Sequence, residues 1–133
     1  MGLLIDTDVW VLAEQSGKHL DLARWAGYGG AYMSAITASE LLVGVERAES
    51  AEQRAQRGAF VENLLSSIPV LEFSTPVVRT HARLLAALSG HVNAGSHDAL
   101  IAATAVHHGY ALLTRHVDNF KLFAGLKIEA FSV

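Results

Sequence analysis

Short apolar runs alternate with helix-like segments along the whole chain, and this alternation constrains the fold more than any other feature. Residues 3–5, 31–34, 70–73, 110–114 and 128–131 read as strands. Between them the sequence predicts helices from Thr7 or Asp8 to about Gln15, from Leu20 to Ala26, and from Thr37 to Ala48. Further helices are predicted up to Ser67, from Thr75-Pro76 to Ser89, from Ser96 to His108, and over 119–124. Residues 27–30 read as a turn and 90–95 as a loop. Strands separated by helices imply a mostly parallel central sheet with helices on both faces, a three-layer α/β/α sandwich. In such sheets ligands bind beyond the carboxyl ends of the strands.

Local signals support these elements. Phe60, Val61, Leu64, Leu65 and Ile68 keep the helical period. Thr75 reads as an N-cap with proline at the first helical position, and that helix is expected to bury Val77, Val78, His81, Leu84, Leu85 and Leu88. Gly109 stops the helix that opens at Ser96. Trp10 and Trp25 sit at core spacing, and His81 reads as a core histidine whose polar atoms are satisfied.

A chain of 133 residues, 51% of them hydrophobic, suits one domain over 1–133 with a substantial core. The absence of cysteine excludes disulfides and thiol chemistry. No apolar run approaches the roughly 20 residues that span a bilayer. Nor does a basic segment precede the first apolar run, so a cytoplasmic protein without membrane association is expected. The net charge of −3 argues against broad nonspecific binding to nucleic acid. It leaves room for a localised basic rim around an acidic site.

Acids stand where the strands end. Asp6 closes the first apolar run, Glu40 follows the second strand, Asp118 follows the fourth, and Asp98 opens a nearly all-apolar helix. All four therefore belong near one edge of the sheet. Two unit charges about 4 Å apart repel by about 4 kcal/mol at an effective dielectric near 20. A divalent cation reverses that sign, and oxygen-only donors favour Mg²⁺ or Mn²⁺ over zinc. Such an ion could orient water and polarise a phosphodiester. Each acid also has a structural reading. Asp8 is a natural N-cap for the first helix. Thr37-Ala38-Ser39-Glu40 matches a capping box, in which Glu40 bonds back to the Thr37 amide. Asp98 suits the positive end of its helix, and Asp118 suits a polar loop. Asp6 has little structural use at a strand end. Thr114 could hydrogen-bond a carboxylate.

Taken in series, Ile5-Asp6-Thr7-Asp8-Val9, Ser39-Glu40-Leu41-Leu42-Val43-Gly44, His97-Asp98-Ala99-Leu100-Ile101-Ala102-Ala103-Thr104-Ala105 and Leu113-Thr114-Arg115-His116-Val117-Asp118-Asn119-Phe120 carry a family resemblance. The chain resembles the PIN-domain ribonucleases, and among them the VapC-type toxins of type II toxin–antitoxin modules. The resemblance spans essentially the whole chain. It implies Mg²⁺- or Mn²⁺-dependent endonucleolytic cleavage of RNA, with Asp6 and Asp98 holding the metal and Glu40 assisting or acting through water. Thr114 matches the family's hydroxyl residue. The resemblance also implies a homodimer and a cognate antitoxin, whose helix lies in a groove lined by the helices around 7–26 and 37–67. No base-reading motif is visible, so RNA recognition is expected through shape and single-stranded segments.

The fourth acid departs from the family pattern. The family places Asp or Asn where this chain has His116, or an acid just before the phenylalanine, where it has Asn119. Either Asp118 substitutes from an offset position, or the site works with three acids. Asp8 stands where Ser, Thr or Asn is usual, and could compensate as a ligand. Arg115 beside the site could contact a phosphate or simply be solvated. Two other readings compete: a catalytically inactive PIN-like binding module, and a receiver-type phosphoacceptor domain. A receiver needs an acceptor Asp after a central strand and a lysine after a late one. Glu72-Phe73-Ser74 and the positions of Lys121 and Lys127 do not supply them.

Overall fold

In the computed structural model, which describes residues 1–88 and 96–132, five strands form one sheet. They are β1 (Gly2–Ile5), β2 (Gly30–Ser34), β3 (Val70–Leu71), β4 (Ala111–Thr114) and β5 (Ile128–Ala130). Their order is β3-β2-β1-β4-β5, and every neighbouring pair is parallel. Six α-helices join them among the described residues: α1 (Thr7–Ser16), α2 (Ala35–Glu46), α3 (Ala51–Ser67), α4 (Thr75–Ala86), α5 (His97–His108) and α6 (Val117–Phe120).

The strand pleat separates two cores. Leu3, Ile5, Ala111 and Leu113 face one side with Val9 and Trp10 of α1, Leu41 of α2 and Val61 of α3. Leu4 and Leu112 face the other with Val77 and Leu84 of α4, most of the buried face of α5, and Phe120. Side chains alternate across a strand, so adjacent leucines serve opposite layers. β1 and β4 are buried throughout, as parallel strands covered on two faces should be. Ala99, Ala102, Ala103 and Ala105 of α5 are all buried, and their small side chains let the helix lie close to its neighbours. The expected three-layer arrangement is therefore present, with a sheet that is wholly parallel.

Several boundaries move, each for a local reason. The helix expected at 20–26 is a 3-10 helix over Ala23–Tyr28, and β2 already begins at Gly30. α2 begins at Ala35 instead of Thr37, because Ser34 Oγ accepts from the Thr37 amide at 3.0 Å. The capping box proposed for Thr37–Glu40 is thus not formed. Asp6, not Asp8, is the N-cap of α1, so the strand-end acid does have a structural use. Thr75 lies inside α4, whose N-cap is Ser74. Val78 is 44% exposed, while the unforeseen Thr80 is buried. The buried Nε2 of His81 lacks a hydrogen-bond partner among the described residues, and its ring meets Phe73 edge-on at 5.8 Å. Trp10 and Trp25 are core residues. The short helix predicted at 119–124 lies at Val117–Phe120. The predicted 90–95 loop and the end of its preceding helix at Ser89 lie outside the described residues.

The strand order reverses direction at β1. The chain steps outward from β1 to β3, then returns to β4 on the other side of β1. The crevice beyond the carboxyl ends of β1 and β4 is therefore the topological switch point of the sheet.

Candidate active site at the carboxyl edge of the sheet

Asp6 follows β1 directly and is 4% exposed. Its Oδ1 accepts from the Thr7 amide at 2.8 Å, and its Oδ2 accepts from Thr114 Oγ1 at 2.7 Å. Thr114 ends β4, so the pairing of β1 with β4 delivers both groups to the switch point. Burial pushes the Asp6 carboxyl up to about 6 from 3.8; the nearby charges of Asp8 and Asp98 add to this, and the two hydrogen bonds oppose it.

Glu40 lies in the second turn of α2, freed from capping by Ser34. Thr7 Oγ1 donates to its Oε1 at 2.6 Å, and the Nδ1 of His97 lies 3.1 Å from its Oε2. Beneath it, the buried hydroxyls of Ser34 and Thr37 continue the network, with Thr37 Oγ1 3.0 Å from Thr7 Oγ1. Asp98 sits in the first turn of α5, whose N-cap is Ser96. Burial raises its pKa first, then the charges of Glu40 and Asp8, while His116 and His97 act the other way. These mutual influences place Asp6, Asp8, Glu40 and Asp98 in one electrostatic neighbourhood.

Asp118 does not join them. Its side chain is 90% exposed and pairs with Lys121 Nζ at 3.0 Å on α6. Asp8 instead meets His116, whose Nε2 lies 2.5 Å from Asp8 Oδ2. Sequence reasoning missed Thr7, Ser34 and Thr37 as supports, and His97 as a partner of Glu40. Thr7 and His97 adjoin acids already singled out, whereas Ser34 and Thr37 stand at the start of the helix that carries Glu40.

The donor set suits a hard divalent cation: carboxylate oxygens only, with two carboxyls made reluctant to ionise chiefly by burial and further by neighbouring carboxylates. Among the described residues, no three His, Asp or Glu side chains yet converge closely enough to cage an ion. Asp6, Asp8 and Glu40 each turn to a neighbouring hydroxyl, amide or imidazole, which lessens their mutual repulsion.

Comparison with known proteins gives this edge its context. The PIN domain family matches residues 3–126. Ribonuclease VapC1 of Rickettsia felis is 42% identical over 133 residues, covering 99% of this chain and 98% of its own. The crystal structure of VapBC2 from Rickettsia felis, bound to a DNA fragment from its promoter, has the same fold, with a TM-score of 0.85 at 24% identity over 99% of this chain and 100% of its own. VapBC-5 of Mycobacterium tuberculosis, a member of the VapBC family of toxin–antitoxin systems, matches with a TM-score of 0.73 at 25% identity, covering 99% of this chain and 98% of its own. The chain belongs to the PIN-domain family, within its VapC ribonucleases.

Proposed function

We propose that this ribonuclease is the toxin of a toxin–antitoxin pair and cuts RNA endonucleolytically with Mg²⁺ or Mn²⁺ held by Asp6, Asp98 and Glu40. The observation that carries this reading is the gathering of these acids at the β1/β4 switch point, over a framework of buried hydroxyls. When bound, the cation supplies positive charge that offsets the carboxylates and polarises the scissile phosphodiester.

The chain's own groups do the rest. Thr114 fixes the orientation of Asp6 from beneath, and Thr7 does the same for Glu40. Glu40 is half-buried, with Oε1 held by Thr7 and Oε2 beside exposed His97, and on this reading it takes the proton of an attacking water. Water's oxygen bonds to phosphorus, one phosphorus–oxygen ester bond breaks, and the leaving oxygen takes a proton from solvent. Exposed Arg115 lies beside the site and is suited to the RNA backbone, while His97 and His116 are engaged by Glu40 and Asp8. On this reading a chain of net charge −3 holds RNA locally instead of over its whole surface.

A groove of about 190 Å³ between α1, α2 and α3 supports the antitoxin partner. Val11, Leu41 and Phe60 give it an apolar lining, Glu14 and Arg57 charge it, and Glu40 joins it to the acidic edge. An amphipathic helix laid there would reach the site. The same reading makes the protein a cytoplasmic homodimer. No helix among the described residues is long and apolar enough to cross a membrane.

The test is cleavage of single-stranded RNA by the purified protein. Cleavage with Mn²⁺ or Mg²⁺, stopped by chelator and reduced at least about 100-fold in Asp6→Asn, is expected. Cation binding without cleavage across varied RNAs would instead support the inactive binding module. Cleavage that persists in chelator would contradict the proposed role of the acids.

A further inference from the structure

We infer that Asp8, steered by the imidazole of His116, is the fourth carboxylate of the cation site, and that Asp118 is not. The inference rests on the metal-dependent reading above. The segment after β4 has Asn119 just before Phe120, so Asp118 is its only acid. That side chain is 90% exposed and engaged by Lys121, whereas the Asp8 side chain is 40% exposed.

Asp8 is tied to the site through a closed ring of contacts. It lies two residues after Asp6, in the first turn of α1. Thr114 Oγ1 donates to Asp6 Oδ2 at 2.7 Å and accepts from the His116 amide at 3.0 Å. The His116 side chain then reaches back to Asp8 Oδ2 at 2.5 Å. Residues 114–116 therefore hold two carboxylates at once, one by a hydroxyl and the other by an imidazole. The imidazole engages one of the two oxygens of Asp8, as an outer partner does when it orients a ligating carboxylate.

His116 accordingly acts as a positioning residue. The resemblance puts Asp or Asn at position 116, and here the imidazole at that position meets the carboxylate of Asp8. The two departures from the family pattern, at 8 and at 116, are thus two halves of one contact.

The test is calorimetric titration of the full chain with Mn²⁺. Asp8→Asn is expected to weaken binding at least about tenfold, because one charge facing the cation is lost. Asp118→Asn should stay within about twofold of the parent, since an exposed, screened charge contributes little. His116→Ala keeps the carboxylate and removes only its tether, and should weaken binding about tenfold. His116→Gln, which can still donate a hydrogen bond, should recover much of that loss. Circular dichroism melts verify folding of each variant, and the His116 pair decides the matter if Asp8→Asn does not fold. Unchanged affinity in Asp8→Asn and His116→Ala, with binding lost in Asp6→Asn, would overturn the role of Asp8 while leaving the site intact. Binding lost in Asp118→Asn would overturn it as well. Absence of Mn²⁺ binding in the parent protein would overturn the metal reading itself, and this inference with it.

Discussion

Asp6 carries two duties that conflict in the absence of a cation. It caps α1, and it is a buried carboxylate beside other acids. Its carboxyl titrates at about 6 instead of 3.8, chiefly through burial. A folded-state value above the unfolded one means that the folded protein binds the proton more tightly. The associated stability is fully present below about 3.8 and is lost as pH rises through about 6. In chelator, Asp6→Asn should therefore be more stable than the parent at pH 8, by up to about 3 kcal/mol, with the gain vanishing as pH falls toward 4. Denaturant melts at several pH values measure this; a gain that grows on acidification would contradict it. Asp6 was legible in the sequence because an acid ending an apolar run is conspicuous. Glu40 was only half legible. Thr37–Glu40 carries the letters of a capping box, but Ser34-Ala35-Ile36-Thr37 offers an earlier cap, and the buried Ser34 wins.

At the scale of elements, α2 owes its start to that serine. Ser34→Ala removes the cap of a helix whose first turn is buried, and should cost about 1 kcal/mol or somewhat more. Because Thr37 and Thr7 relay this cap to Glu40, RNA cleavage should fall in the same variant. A melt that shows the stability loss with cleavage unchanged would sever the cap from the site. The long elements were legible because period and punctuation agreed in them. α3 kept its helical period, and α5 runs from a serine cap to Gly109, whose φ of 70° suits glycine. The short elements were less so. The two residues of β3 and the 3-10 turn over Ala23–Tyr28 are set by tertiary pairing, and local propensity is a weak guide over so few residues.

For the whole molecule, strand order does what no single motif can. It brings position 6 next to 114, and α2 and α5 bring 40 and 98 to the same edge. The acids were legible one by one, and their meeting followed from the alternation of strands and helices. The exposure of Asp118 was not legible, because a one-residue offset on a short helix decides whether a side chain faces the crevice or solvent. On the proposed reading only the folded protein binds the cation, so saturating Mn²⁺ should raise thermal stability. At about 100 times the dissociation constant the gain is about 2.7 kcal/mol. Asp98→Asn should lose most of that shift in a thermal melt, and an undiminished shift would place the ion elsewhere.

The most direct measurement is anomalous diffraction from crystals grown with saturating Mn²⁺. A peak about 2 Å from carboxylate oxygens of both Asp6 and Asp98, at the β1/β4 switch point, is the predicted result. An ion bound away from both acids, or a switch point without a peak at saturation, would contradict it.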